Sequence, residues 1–222
     1  MSAAATGRRQ AVIFDLDGTL VDSAKGIAQA LSRVRADRGL GPAPLADVKR
    51  WVSHGAEQLV TFALGSTPAS LAADLAAFRA VYADIPADPA DLFPEALQTV
   101  EALHGRGLRI GVCTNKPQML ADNIVQGVGL ARFVAAVVGG APDLEPKPHP
   151  APLHRVMDRL GVATDQILYV GDSEVDAETA RRVGAAFALV AHGYVIGARE
   201  EIPCAMRIEA LSDLLLAPEC GE

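Results

Sequence analysis

Short apolar runs rich in β-branched residues recur along the chain, separated by stretches with helical spacing. The first, Ala11-Val12-Ile13-Phe14, ends abruptly at Asp15-Leu-Asp-Gly-Thr19, where Gly18 punctuates a turn; runs of the same kind occupy 108–113, 133–138, 167–170 and 187–190. A run that is apolar at every position predicts a strand buried on both faces. Such strands alternating with helices predict an α/β fold with a doubly wound, Rossmann-like parallel sheet.

The interval between the first and second runs is different. Segments 23–38, 46–64 and 69–84 are rich in Ala and Leu with no strand-like run, and read as three helices. Breaks at Gly39-Leu-Gly-Pro-Ala-Pro44 and Ser66-Thr-Pro68 separate them, and the Pro- and Asp-rich stretch 85–94 returns the chain to the sheet. The expected organisation is an α/β core of residues 1–22 and 93–222, with residues 23–92 as a helical insertion.

Composition narrows the picture without changing it. With 222 residues, 50% of them hydrophobic, the chain suits one large domain or a core carrying an insertion, and bulk disorder is excluded. Twenty Lys+Arg against 27 Asp+Glu give a net charge of −7, which repels nucleic acid and anionic membrane surfaces. Cys113, Cys204 and Cys220 form no C-x-x-C pair and are odd in number, so a disulfide framework is not expected. The opening apolar run is too short for a signal peptide, and no uncharged stretch approaches the ~20 residues of a membrane span. These features predict a cytoplasmic protein; a monomer or homodimer is expected, though none of them chooses between the two.

In an open parallel sheet, ligands bind beyond the carboxyl ends of the strands. The residues found there are Asp15, Asp17, Gly18 and Thr19 after the first run, Thr114 and Asn115 after the second, Lys147-Pro-His-Pro150 beyond the third, and Gly171-Asp172-Ser173 with Asp176 after the fourth. Carboxylates gathered in this way repel one another unless a cation sits among them, and an all-oxygen donor set favours a hard ion such as Mg²⁺. Mg²⁺ with Lys147 and the donors of Thr114 and Asn115 makes a pocket complementary to a phosphoryl group. Asp15 at the strand end then suits a nucleophile, and Asp17, two residues on, an acid/base that also offers its backbone carbonyl to the metal.

Each motif taken singly also fits a structural role. Asp15-Leu-Asp-Gly-Thr19 is compatible with a polar turn, Asp172-Ser173 with a helix N-cap, Lys147 with a solvated loop, and Thr114-Asn115 with a side-chain turn.

All four motifs, in this order, resemble those of the haloacid dehalogenase superfamily, over nearly the whole chain from Val12 onward. The resemblance implies Asp15 as nucleophile and metal ligand, Asp17 as acid/base, Thr114 as phosphate binder, Lys147 as charge stabiliser and Asp172 as metal ligand. Asp176 is added to the metal set, more as a supporting partner. Asp17 sets the chain apart from the metal-free dehalogenases and implies a phosphatase or phosphomutase, and the insertion is similar to the family's helical cap. Thr114-Asn-Lys-Pro117, Lys147-Pro-His-Pro150, Gly-Asp-Ser-Glu-Val-Asp176 and Ala191-His-Gly-Tyr194 look most like the phosphoglycolate phosphatases.

The expected substrate is accordingly a small phosphate ester, 2-phosphoglycolate first. The alternatives are a β-phosphoglucomutase-like enzyme, a phosphonatase-like enzyme using a cap lysine (Lys25 or Lys49), and a receiver-type phospho-aspartate module. In the insertion, Arg50, His54 and Glu57 fall at i, i+4 and i+7, which predicts one shared helical face. That face is either solvated or lets Arg50 or His54 reach the far end of the substrate. His149, His154 and His192 have no metal-ligand spacing, and Cys113 reads as a small buried side chain.

Overall fold

The computed structural model describes residues 9–195 and 197–217, so the expectations for Cys220 and for residues 1–8 fall outside the described residues. Six strands, β1 (Ala11–Phe14), β2 (Arg109–Pro117), β3 (Val134–Gly140), β4 (Ile167–Gly171), β5 (Ala186–Val190) and β6 (Met206–Ile208), form one parallel sheet in the order β3-β2-β1-β4-β5-β6. The order reverses direction between β1 and β4, the switch point at which such sheets open a crevice for ligands.

The apolar runs follow from burial on both faces. Val12 and Phe14 of β1 enter one core with α5 (Ala96–Gly105) and α6 (Gln118–Gly127), whereas Ala11 and Ile13 enter the other with α7 (Ala151–Leu160) and α8 (Glu174–Val183). Alternate side chains thus point to opposite layers, each of them apolar.

Between β1 and α5, four helices pack around a third cluster: α1 (Ala24–Ala36), α2 (Leu45–Val52), α3 (Ala56–Leu64) and α4 (Leu71–Ala83). Ile27 and Leu31 of α1, Leu59 and Val60 of α3, and Leu75 and Phe78 of α4 are buried there; Leu120 and Tyr194 join them from outside the four helices. The sequence reading of three helices needs correction, because segment 46–64 is two helices. Gly55 stands between them at φ 84°, a left-handed conformation that a continuing helix cannot contain, and Ser53-His54-Gly55 is a corner. The short edge strand β6 was not predicted; it holds three residues and exposes Arg207, so no apolar run marks it. Among the described residues, no helix is long and apolar enough to cross a membrane.

Candidate active site

Pairing of β1 with β4 sets Phe14 opposite Val170, and the Asp15 N–H donates to the Val170 carbonyl at 2.8 Å. Asp15 and Asp172 therefore leave the sheet side by side. On the other flank Phe14 lies opposite Val112, which brings Thr114 to the same edge. Beyond Cys113 the pairing of β2 with β3 becomes irregular, and the strand carries Thr114, Asn115 and Lys116 through this stretch before closing at Pro117.

Asp15, Asp172 and Asp176 are buried and each places a carboxylate oxygen within 4.8 Å of the others. Lys147 is 5% exposed, and its ammonium donates to the Cys113 carbonyl at 3.0 Å, the Tyr169 hydroxyl at 2.9 Å and Asp176 Oδ1 at 2.7 Å. It is also 2.9 Å from Asp15 Oδ1, but its three protons serve the other acceptors, so this buried oxygen is ion-paired without receiving a hydrogen bond. Asp176 is saturated: Oδ1 also accepts from Tyr169 at 2.7 Å, and Oδ2 accepts from the Ser173 hydroxyl at 2.6 Å and amide at 3.2 Å. Ser173 is at the same time the N-cap of α8, so the capping role and a role beside the site coexist.

These contacts divide the carboxylates electrostatically. Burial pushes Asp15 up to about 7 against the pull of Lys147, with the charges of Asp176 and Asp17 adding to the rise. Burial, then the charges of Asp176 and Asp15, lift Asp172 well above the usual carboxylate range. For Asp176, burial is outweighed by the Lys147 charge and by hydrogen bonds from Lys147, Ser173 and Tyr169, and its pKa is lowered. Lys147 in turn is raised despite burial, because Asp15 and Asp176 favour its charged form. Lys147 is shared between Asp176, which takes its hydrogen bond, and Asp15, so the three buried carboxylates together remain short of positive charge.

Asp17 is held apart from this cluster. Lys116 Nζ, buried, donates to both of its oxygens at 2.9 and 2.8 Å, and the Ser23 hydroxyl donates to Oδ1. Burial opposes the charge of Lys116, but Asp17 more than restores it, and the lysine pKa is raised. Counted formally, Asp15, Asp17, Asp172 and Asp176 against Lys116 and Lys147 leave −2. Together with the orphaned acceptor at Asp15 and the all-oxygen donor set, this deficit fits a divalent cation such as Mg²⁺ held by Asp15 and Asp172. The Asp17 side chain lies outside the carboxylate cluster, which leaves its backbone carbonyl as its means of reaching a metal.

Several expected residues take other positions. The N–H of Gly18 is donated to Val21 O at 2.9 Å, so it is not free for a phosphate. The value of Gly18 is spatial: at φ 87°, a Cβ there would lie 2.3 Å from Asp172 Oδ2. Gly18→Ala should displace that carboxylate and lower activity by about 10²-fold, the usual cost of misplacement near 1 Å; unchanged kinetics would show that Asp172 needs no such fit. The Asn115 amide group bonds both backbone groups of Lys147, donating to its carbonyl at 3.0 Å and accepting from its N–H at 2.8 Å. Asn115 therefore fastens the lysine loop, and its amide nitrogen keeps a second proton on the cavity wall. Thr114 is buried on the cavity wall: its oxygen accepts from Lys116 N–H at 3.2 Å and its own proton has no acceptor among the described residues.

Arg50 and His54 do not reach the site. Arg50 is exposed and pairs with Asp47, while His54 lies in the corner before α3, edge-on to Phe62, so the predicted shared face with Glu57 does not exist. Lys25 and Lys49 lie 3.9 Å from Asp91 and 2.9 Å from Asp22 respectively, and neither lines the cavity. Cys113 is buried, with its thiol pushed up to about 12 by that burial, as a small core side chain.

Sequence reasoning passed over three contributors. Lys116 lies within the quoted Thr-Asn-Lys-Pro motif, and it is one of only four lysines in the chain, two of which serve this site. Tyr194 donates its N–H to Asp172 Oδ2 at 2.6 Å, and its hydroxyl donates to Asp22 and accepts from Ala24 N–H. The third, Arg79 of α4, lines the cavity together with Phe78 and Tyr82. The cavity measures about 190 Å³, below the ~300–1,000 Å³ typical of drug-sized ligands.

The family pattern of haloacid dehalogenase-like hydrolases matches residues 12–190. A phosphoglycolate phosphatase of Rhodospirillum rubrum is 44% identical over 194 residues, covering 83% of this chain and 80% of that protein. One from Cereibacter sphaeroides is 39% identical over 197 residues, covering 86% and 89%. Among solved structures, that of a predicted phosphoglycolate phosphatase from Haemophilus somnus 129pt superposes with a TM-score of 0.82 at 27% identity, covering 94% of this chain and 97% of that one. The chain belongs to the haloacid dehalogenase-like hydrolase family. Within that family it is a phosphoric monoester hydrolase.

Proposed function

We propose that the protein is a Mg²⁺-dependent phosphatase of small phosphorylated metabolites, with 2-phosphoglycolate as substrate and phospho-Asp15 as intermediate. The observation that carries this reading is the charge balance at the strand ends, where Asp15 and Asp172 remain short of positive charge while Lys147 and Lys116 are already committed. Bound between Asp15 and Asp172, Mg²⁺ would offset the charge of the phosphoryl oxygens and keep Asp15 ionised. Residues 23–92 act as a cap over the core of 1–22 and 93–222.

The steps assigned to the chain's own residues balance as follows. An Asp15 carboxylate oxygen bonds to phosphorus as the bond from phosphorus to the glycolate oxygen breaks. Asp17, which enters the cycle protonated, gives that proton to the leaving oxygen, then takes one from the water whose oxygen attacks phosphorus as the bond from phosphorus to Asp15 breaks, and so ends the cycle protonated again. Lys116 and Ser23 hold Asp17 in reach, and Thr114 donates to a phosphoryl oxygen. Lys147 remains charged beside Asp15 throughout, fixed by Asp176 and by the Asn115 clamp on its loop. Every group in this scheme comes from one chain, so a monomer suffices and a homodimer would duplicate it. With no disulfide among the described residues, Cys113 and Cys204 being free, we place the reaction in the cytoplasm.

The test is inorganic phosphate release from 2-phosphoglycolate, hexose and pentose phosphates, β-glucose 1-phosphate and phosphonoacetaldehyde, with Mg²⁺ and with chelator. The expected result is release led by phosphoglycolate and abolished by the chelator, returning when Mg²⁺ is restored. Release led by another ester would overturn the substrate, and release indifferent to chelation would overturn the metal.

A further inference from the structure

We infer that Arg79 is the specificity-determining residue of this site, binding a second anionic group, a carboxylate, on the arm of the substrate that departs from phosphorus. The inference rests on the phosphatase reading above and assigns the part of the cavity which that reading leaves unused. The floor of the cavity is acidic, and its two cations are committed, Lys147 to Asp176 and Lys116 to Asp17. A substrate carboxylate therefore finds no counter-charge there. The roof supplied by the helices is apolar or neutral, built from residues such as Leu59, Phe78 and Tyr82, with a single exception: Arg79 is the one charged residue of the four helices that lines the cavity.

Arg79 is also uncommitted, since no hydrogen bond or ion pair joins it to another described residue, whereas Arg38, Lys49 and Arg50 of the same helical unit are each paired with an aspartate. Its helix is anchored on both sides of it. Phe78 and Tyr82 stack with ring centroids 5.7 Å apart, and Lys116 Nζ, which grips Asp17, lies 4.7 Å from the centre of the Tyr82 ring. Arg79 thus stands within one helical turn of a side chain that touches the catalytic floor. A guanidinium presents a planar fork that meets a carboxylate through two parallel hydrogen bonds. With phosphate bound at the floor, that fork selects short esters whose other end is anionic.

The experiment compares wild type, Arg79→Gln and Arg79→Lys on 2-phosphoglycolate and on ethyl phosphate, an ester of similar length with a neutral arm, in saturating Mg²⁺. Arg79→Gln should lower kcat/KM for phosphoglycolate by about 10–10²-fold, the range for a lost charge-assisted hydrogen-bond pair, mainly through KM. Activity on ethyl phosphate should change by less than about twofold, and Arg79→Lys should recover part of the loss. Calorimetric binding of the same two esters reads the preference without turnover, so it decides the matter even for a protein that releases no phosphate. Wild type should bind phosphoglycolate more tightly than ethyl phosphate, and Arg79→Gln should erase that gap. An equal loss on both esters, an unchanged preference in Arg79→Gln, or no preference in wild type would overturn the inference. Phosphate release led by another ester in the panel above, with the binding gap still lost in Arg79→Gln, would overturn phosphoglycolate as substrate and uphold Arg79 as the carboxylate-binding group.

Discussion

Asp15→Asn should reduce phosphate release by about 10⁴-fold or more, the scale seen when a covalent nucleophile is removed, while leaving the fold intact. The same substitution has a thermodynamic signature that an exposed aspartate would not give. In the cation-free protein Asp15 is raised from 3.8 to about 7, with burial as the leading cause. A carboxyl whose folded pKa lies above its unfolded value stabilises the fold only while protonated, so its contribution is lost as pH rises from about 4 through about 7. Asparagine carries no such charge. The cation-free variant should therefore become more stable than wild type across that window, by an amount on the order of 4 kcal/mol above pH 7, and Mg²⁺ should narrow the difference by stabilising wild type alone. Denaturant melts of both proteins at pH 5 and pH 8, with and without Mg²⁺, measure this directly. A difference that does not grow with pH would mean that Asp15 carries its charge comfortably without a cation.

Lys147→Met should be the most destabilising change at the site. Its ammonium is the cation paired with Asp176, a carboxylate with no exposed surface, and removing it leaves that charge buried beside Asp15 and Asp172. Breaking one side of a buried pair costs about 3–5 kcal/mol, which corresponds to a fall in Tm of about 6–20 °C for a chain of this size. Activity should fall by more than about 10²-fold, since a fixed positive charge beside the reacting carboxylate is lost. Adding Asp176→Asn in the double variant removes the stranded charge and should recover most of the stability but none of the activity. That split separates the two tasks of the lysine. If Lys147→Met melts with wild type, Asp176 has another counter-charge and the pairing described above is wrong.

Much of this was legible in the sequence because two simple rules coincide. Strands buried on both faces appear as unbroken apolar runs, and the first polar residue after each run is the one delivered to the ligand edge. Asp15, Thr114 and Asp172 were found in that way, and the register that joins Phe14 to Val170 and Val112 is why positions far apart in the chain meet. Three kinds of information were not legible. The corner at Ser53-His54-Gly55 depends on one glycine adopting a left-handed backbone, and a helical pattern read across it placed Arg50 and His54 on a face that does not form. The commitment of groups to one another was also hidden. Asn115 and Thr114 are both polar and adjacent on the cavity wall, yet of the two only Asn115 also fastens the Lys147 loop. Finally, nothing in the spacing linked Lys116 to Asp17, which meet through the pairing of β1 with β2, or lifted Arg79 toward the cavity, which depends on how α4 rests over the sheet edge.

The most direct measurement of the central claim is to trap the covalent intermediate. Asp17→Asn protein, in which the second step lacks its base, would be mixed with Mg²⁺ and p-nitrophenyl phosphate, whose leaving group needs no proton from Asp17, then quenched in acid and mapped by peptide mass spectrometry. A phosphoryl group on Asp15, absent when Mg²⁺ is chelated and absent from the Asp15→Asn/Asp17→Asn double variant, is the predicted result. Phosphate released without any modification of Asp15, or a phosphoryl group found on another residue, would contradict it.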